Sequence, residues 1–225
     1  MTQRPVVQMK GISKYFPGVK ALDDVSVDIY PGEVHVLIGE NGAGKSTLSK
    51  ILMGIYTASS GEILVDGQQV NISSPSVARA HGIGGVHQEF MLVPWLNVAQ
   101  NIFLNREPRW KNTFLIDHSA MHRQSRELLS SLGVDIDTRL PIRRLGTAQQ
   151  QMVEIAKALE QKLRVFILDE PTAVLSAREV ELLFKQVRRM KEEGVAIVYI
   201  SHRLQEIREI GDRVTVLRDG KHVTT

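Results

Sequence analysis

The residues best suited to chemistry form a glycine-rich segment between an apolar run and a predicted helix. They are Gly39, Glu40, Asn41, Gly42, Ala43, Gly44, Lys45, Ser46 and Thr47. The spacing matches a phosphate-binding P-loop, whose glycines let backbone amides converge on phosphate oxygens beside a positively polarised helix N-terminus. In that motif Lys45 reaches the β and γ phosphates of ATP and Ser46 binds Mg²⁺. A tight glycine turn without a ligand is the alternative, and the flanking strand and helix argue against it.

Two adjacent carboxylates, Asp169 and Glu170, end a second apolar run that begins near Arg164. Beside a P-loop, such a pair places one carboxylate near the metal and a second near the attacking water. Asp169 is therefore expected to hold Mg²⁺, through water, and Glu170 to polarise the water that attacks the γ phosphate. A surface acidic pair would be the better interpretation if the P-loop were absent.

The elements that must position these residues are strands and helices in alternation. Nearly continuous apolar runs at 34–38, 165–168 and 195–200 are typical of buried parallel strands. The first 70 residues predict further strands at 6–9, 25–29 and 62–65, the last joined by Asp66 and Gly67 to a strand at 68–70. Alternation at 25–29 indicates a half-exposed antiparallel sheet.

A helical pattern occupies the middle of the chain. Residues 47–53 and 121–132 predict helices, and Met152, Ile155, Ala156 and Leu159 recur at helical spacing. A further helix is expected to begin at Ser176, which forms a capping-box pattern with Glu179, and to end at Gly194. The predicted fold is α/β, with a core of 1–88 and 162–225 that carries an antiparallel β subdomain, and an inserted helical subdomain at 89–161.

Composition excludes several classes of protein. The chain has 225 residues, 43% of them apolar, which is enough for one globular domain. A net charge of +3, with basic and acidic residues intermixed, predicts no nucleic-acid partner. Cysteine is absent, which excludes disulfides and thiolate metal sites. No apolar run approaches the roughly 20 residues that cross a bilayer, so the sequence predicts no transmembrane helix. A predicted hairpin around Asp219 and Gly220 stops mid-strand, so we expect a piece of a longer protein.

Three further landmarks follow one another in the chain. They are Gln88 within Val86-His87-Gln88-Glu89, Gln149-Gln150-Gln151 at a helix start, and His202 within Tyr199-Ile200-Ser201-His202-Arg203. With the P-loop and the acidic pair, their order and spacing over the whole chain resemble the ABC ATPase family. The segments 39–47, 87–89, 151–157 and 199–203 look closest to the first ATP-binding half of bacterial ribose, galactose and xylose importers. The resemblance implies a RecA-like P-loop NTPase core and a second, missing ATP-binding half.

The resemblance also implies roles for individual residues. Phe16 would stack on adenine, Gln88 would contact Mg²⁺ and signal to the membrane subunit, and His202 would contact the γ phosphate. Taken singly, Phe16 would be interpreted as a core aromatic, and Tyr15 competes with it as the residue that stacks on adenine. Gln88 alone would be an ordinary residue at a strand end. His202 alone would be a capping or core histidine. The joint placement of the three residues favours their functional roles in binding and hydrolysing ATP.

The family's signature loop, which completes the ATP site of a partner domain, is altered in this chain. It usually reads Leu-Ser-Gly-Gly-Gln, whereas this sequence has Leu145, Gly146, Thr147, Ala148 and Gln149. The serine hydroxyl and one flexible glycine are therefore missing. In addition, Ser176 stands where the loop after Glu170 normally ends in an aspartate.

The function implied is ATP hydrolysis that drives carbohydrate import, from the cytoplasmic face of the bacterial cell membrane. The expected partners are a second nucleotide-binding domain, transmembrane permease subunits and, indirectly, a solute-binding protein. A groove lined by Gln88 and residues 90–92 is the expected contact with the permease, and core packing is the alternative for the apolar residues. Other functions left open are an importer of nucleosides or autoinducers, a non-transport ABC ATPase acting on DNA or the ribosome, and a regulatory module that binds nucleotide without hydrolysis.

Overall fold

The structure, a computed structural model, describes residues 4–87, 90–111 and 113–225. The strands are β1 (Val7–Phe16), β2 (Val19–Ile29), β3 (Val34–Ile38), β4 (Ser60–Val65), β5 (Gln68–Val70), β6 (Ile83–Val86), β7 (Val165–Asp169), β8 (Ala196–Ile200), β9 (Arg213–Arg218) and β10 (Lys221–Thr224). The helices are α1 (Lys45–Leu52), α2 (Pro75–Ala80), α3 (Val98–Ile102), α4 (His118–Ser131), α5 (Thr147–Leu159), α6 (Ala177–Glu192) and α7 (Leu204–Ile210). A 3₁₀ turn covers Ile142–Arg144.

The chain divides into two compact units. The first comprises residues 1–85, 163–170 and 187–225, and the second comprises 86–162 and 171–186. The second unit therefore includes the 171–186 segment, which the sequence assigned to the core. The subdomain bounds drawn from the sequence stay a prediction.

The first unit contains two sheets. The antiparallel sheet has the order β2-β1-β4-β5. Its strand β2 buries alternate residues at Val25, Val27 and Ile29, which confirms the half-exposed strand expected there. The turn between β4 and β5 has Asp66 at φ 52° and Gly67 at φ 80°, the left-handed pair that a tight two-residue hairpin requires.

The six-stranded sheet has the order β10-β9-β3-β8-β7-β6. Strands β9, β3, β8 and β7 run parallel, and β10 pairs antiparallel with β9. Strands β7 and β8 are buried at every position, as a parallel sheet covered on both faces demands. The α/β fold with a parallel core and an antiparallel sheet is as predicted.

In the second unit, helices α3, α4 and α5 pack on one another. Helix α5 buries Met152, Ile155 and Ala156, three of the four residues whose spacing predicted it, and leaves the fourth, Leu159, partly exposed. The stretch before α3 is fixed by the fully buried Asn101, whose amide accepts from the Val93 N–H at 2.7 Å and donates to the Val93 carbonyl at 3.1 Å. A buried side chain thus supplies the hydrogen bonds that these backbone groups would otherwise make in a helix or a sheet.

Helix α6 begins as expected from the capping box. The Ser176 N–H and hydroxyl donate to the Glu179 carboxylate at 2.8 and 2.7 Å, and the Glu179 N–H donates back to the Ser176 hydroxyl at 3.4 Å. Along the described parts of the chain, 4–87, 90–111 and 113–225, no helix is both long enough and apolar enough to cross a membrane.

Candidate functional site

The P-loop connects the buried strand β3 to helix α1. Gly44, with φ 99°, is the N-terminal flanking residue of α1, and the first helical bond runs from the Leu48 N–H to the Gly44 carbonyl at 2.9 Å. The amides of Lys45, Ser46 and Thr47 therefore precede any intrahelical acceptor and remain available to an anion at the helix end. The exposed part of the loop consists of Glu40, Asn41 and Gly42, whereas Ala43 is buried.

Two P-loop glycines are required by close backbone approach. A Cβ on Gly39 would lie 2.2 Å from the Leu217 carbonyl oxygen, and one on Gly44 would lie 2.7 Å from the Ala21 carbonyl oxygen. Both positions also have φ values in the left-handed region, 152° and 99°. The loop is therefore shaped by β2 and β9, which no local pattern in the motif reveals.

The Lys45 side chain is buried and lies along the loop. Its ammonium donates to the carbonyls of Gly39 at 2.8 Å and Glu40 at 3.0 Å. A buried ammonium needs several acceptors, and these carbonyls hold it at the inner side of the loop. The positive charge is thus placed beside the amides that open α1.

The metal-side carboxylate predicted from sequence lies against the P-loop helix. The Ser46 hydroxyl donates to Asp169 Oδ1 at 3.3 Å. Asp169 is 1% exposed, and burial raises the pKa of its carboxyl above the ordinary value, while the Ser46 hydrogen bond opposes that shift. A desolvated carboxylate of this kind favours a nearby cation.

Ser49 is a neighbour of Asp169 that the sequence reasoning missed. Its buried hydroxyl lies 3.5 Å from Asp169 Oδ2, the outer limit of a hydrogen bond, and 3.0 Å from the Ser46 carbonyl oxygen. The available signal was a polar residue inside the apolar face formed by Leu48, Ile51 and Leu52. Its partner stands 120 positions away, so the sequence did not identify the contact.

Glu170 and His202 meet at the ends of adjacent strands β7 and β8. His202 Nδ1 lies 3.3 Å from Glu170 Oε1. Glu170 has φ 48°, a left-handed conformation that is uncommon for any residue other than glycine, and its N–H donates to the Ile200 carbonyl at 3.0 Å. The chain thus turns sharply directly after Asp169, and the Glu170 side chain faces the histidine.

Phe16 ends β1 and packs edge-on against Tyr56, with ring centroids 5.3 Å apart. The Lys14 ammonium lies 5.2 Å from the Phe16 ring centroid. The competing residue Tyr15 is half exposed, and the Lys20 ammonium lies over its ring at 5.5 Å. Both aromatics are accessible, so the adenine contact of Phe16 stays a prediction.

The altered signature loop leads into α5 in the second unit. Gly146 is the N-terminal flanking residue of α5, its N–H donates to Gln149 Oε1 at 3.1 Å, and Leu145 is buried. Thr147 and Ala148 already belong to the helix. Ala148 has ordinary helical geometry here, so alanine is accommodated at this position of the isolated chain without backbone strain.

The chain matches a known protein family over most of its length. The family model described as ABC transporter matches residues 22–173, more than half of the chain. The chain belongs to the ABC transporter family.

Relatives of this ABC transporter chain are named as sugar import proteins. It is 59% identical over 220 residues to the ribose import ATP-binding protein RbsA 1 of Rubrobacter xylanophilus, covering 98% of this chain and 44% of the relative. It is 51% identical over 224 residues to a putative ribose/galactose/methyl galactoside import ATP-binding protein of Burkholderia cenocepacia, covering 100% of this chain and 44% of the relative. The chain therefore spans less than half the length of these relatives.

Solved structures share the fold of this ABC transporter chain. A dimeric ATP-binding cassette in a post-hydrolysis state, bound to ADP and Pi, matches with a TM-score of 0.85 and 25% identity over 97% of both chains. A nucleotide-free ATP-binding cassette from an ABC transporter matches with a TM-score of 0.84 and 24% identity, covering 98% of this chain and 90% of the other. The chain has the ABC ATPase fold.

Oxygen ligands suited to Mg²⁺ converge beside the P-loop. Mg²⁺ is held in phosphate sites by one or two protein oxygens together with phosphate oxygens and water. The Ser46 hydroxyl and the buried Asp169 carboxylate supply such a pair, and the residues fit the ion. Gln88, the third ligand predicted from the resemblance, lies outside the described residues.

Proposed function

We propose that this chain binds ATP and hydrolyses it as the nucleotide-binding domain of a bacterial carbohydrate importer. The observation that carries the proposal is the convergence of Ser46 on the buried Asp169, with Glu170 and His202 facing each other at the neighbouring strand end. A phosphate cradle, a metal-side carboxylate and a base that can position water are recurring parts of phosphoryl transfer to water, and the histidine lies beside that base.

The chain's own residues have distinct tasks in this proposal. The amides that open α1 and the Lys45 ammonium bind the β and γ phosphates. Ser46 and Asp169 hold Mg²⁺, which when bound neutralises charge on phosphate oxygens. Glu170 accepts a proton from the attacking water, and His202 contacts the γ phosphate.

Carbohydrate import is supported by the names of relatives that are 51–59% identical over nearly the whole chain. We infer that the chain works with a second nucleotide-binding domain, with membrane permease subunits at the cytoplasmic face of the bacterial cell membrane, and indirectly with a solute-binding protein. A solved cassette with 25% identity is dimeric, which supports the pairing of two domains. The signature loop at 145–149 would complete the ATP site of the partner domain.

Nucleotide binding is tested with the 225-residue chain and a fluorescent ATP analogue. Lys45→Ala is expected to weaken binding by at least 10-fold, because it removes a charge-assisted contact of about 1.5–3 kcal/mol. Lys185→Ala, which removes an exposed charge on α6, is the matched control and should bind as the wild type does. Equal affinity in all three proteins would overturn the assignment of the cradle.

The transported solute is tested with the full-length protein and its permease in membrane vesicles. Ribose or galactose, delivered by the solute-binding protein, should be accumulated only when ATP is present. Accumulation of nucleosides alone would replace the carbohydrate assignment while leaving the ATPase intact.

A further inference from the structure

A buried carboxylate on α7 collects hydrogen bonds from the segment that carries His202. Glu206 is 6% exposed, and its Oε2 accepts from the Tyr199 hydroxyl at 2.9 Å and from the Ser201 hydroxyl at 2.7 Å. Its Oε1 lies 3.4 Å from the Arg203 guanidinium. A charge buried to this extent is stable only when it is hydrogen-bonded, so these contacts belong together.

The contacts reach the residue on each side of His202. Ser201, which precedes it, donates to Glu206 and also accepts from the Arg203 N–H at 3.0 Å. Arg203, which follows it, reaches Glu206 through its guanidinium. The backbone around His202 is therefore tied at two neighbouring points to one carboxylate.

His202 itself has little packing to hold it. Its side chain is 61% exposed, while its Nδ1 lies 3.3 Å from Glu170 Oε1. An exposed ring keeps a defined position only if the backbone that carries it is fixed. Among the described residues around it, the network of Tyr199, Ser201 and Glu206 provides that fixation.

We propose that Glu206 is a positioning residue for hydrolysis, which sets the position of His202 relative to Glu170 through Ser201. The proposal rests on the proposed ATPase function. Displacing a catalytic group by about 1 Å can lower turnover on the order of 100-fold. Loss of Glu206 is therefore expected to lower kcat while leaving ATP binding at the P-loop in place.

The contrasting role is purely structural, in which Glu206 stabilises the fold without regard to His202. The two roles differ in a double-mutant cycle, because a residue that acts only through His202 has no further effect once His202 is removed. The cycle uses Glu206→Ala and His202→Ala, singly and together, in the full-length transporter. Glu209→Ala, on the same helix but half exposed and paired with Arg188, is the matched control.

We expect Glu206→Ala to lower kcat about 10-fold or more with a KM for ATP within about 2-fold of wild type. In the His202→Ala background the same change should alter kcat less than about 2-fold. An equal loss of kcat in both backgrounds would overturn the proposal. If Glu206→Ala fails to fold, Ser201→Ala replaces it in the cycle, because it breaks the link to the loop and leaves the carboxylate paired with Tyr199.

A second measurement does not depend on hydrolysis. The ¹⁵N resonances of the His202 ring in the 225-residue chain should shift in Glu206→Ala or Ser201→Ala and stay unchanged in Glu209→Ala. An unchanged His202 signal in the first two variants contradicts the positioning role even where turnover is altered. Absence of ATP turnover in the wild-type transporter, with His202 signals that still respond to Glu206, would instead refute the proposed function.

Discussion

Restoring the missing hydroxyl of the signature loop is expected to accelerate hydrolysis by the isolated chain. Gly146 has φ −66° and ψ 160°, a conformation open to any residue, and no atom lies within 4 Å of where its Cβ would stand. Gly146→Ser therefore fits without strain. Because serine and glycine differ by only a few tenths of a kcal/mol as helix N-caps, folding should hardly change.

The effect on turnover is larger when two copies of the isolated chain close on ATP, because each copy then presents its own loop at 145–149 to the other. A hydroxyl that donates to a charged phosphate oxygen contributes about 1.5–3 kcal/mol. At about 1.4 kcal/mol per factor of ten, closure and turnover should rise roughly 10- to 100-fold. Ala148→Gly should bring no such gain, because it places glycine inside α5 at a cost of about 1 kcal/mol.

The assay is steady-state ATP turnover of the 225-residue chain over a range of protein concentrations, which separates association from chemistry. Gly146→Ala is the matched control, since it adds a Cβ in the same open space without a hydroxyl. Gly146→Ser should be faster than both wild type and Gly146→Ala. Equal rates for the serine and alanine variants would refute the reasoning, as would a wild-type chain that already equals its mixture with the missing second half.

Three other outcomes are expected. Glu170→Gln should lower turnover about 100-fold or more with unchanged ATP affinity, because the amide cannot accept the proton; normal hydrolysis would exclude Glu170 as the base. Burial lowers the pKa of His35 from 6.5 to about 4 in the folded protein. Because the unfolded chain binds this proton first, the free energy of unfolding should fall by roughly 3 kcal/mol as pH falls across that interval. Denaturant unfolding at pH 7 and pH 4 should show this loss in the wild type, and a loss of equal size in His35→Gln would contradict it. Gly39→Ala should lower the melting temperature more than Gly42→Ala, because its Cβ would lie 2.2 Å from the Leu217 carbonyl whereas position 42 faces open space; equal melting temperatures would argue against the close approach.

The sequence alone was sufficient to predict those elements that depend on neighbouring residues. The P-loop, its preceding strand and its helix follow from a motif of adjacent residues. The two hairpin turns predicted from sequence follow from Asp-Gly pairs. Asp219 and Gly220 have φ values of 50° and 73°, in the same left-handed region as Asp66 and Gly67. The start of α6 follows from its capping box.

Other elements were missed because distant contacts decide them. Strand β6 has the sequence Ile-Gly-Gly-Val, which propensity does not assign to a strand. A Cβ on Gly85 would lie 2.0 Å from the Ile167 carbonyl oxygen, so glycine is needed there by the approach of β7. Strand β1 extends to Phe16, well past the predicted end at Met9, because it pairs with β2 on one side and with β4 on the other, with register shifts after Met9.

The site shows the same division between local and distant causes. Residue types and spacing were sufficient to select Lys45, Ser46, Asp169 and Glu170 as the candidates. Only tertiary structure brought Ser46 within 3.3 Å of Asp169 across 123 positions, and only it placed Glu206 beneath the His202 segment. The physical reason is that a motif specifies what a residue is able to bind, whereas the pairing of parallel strands from distant parts of the chain decides which candidates meet.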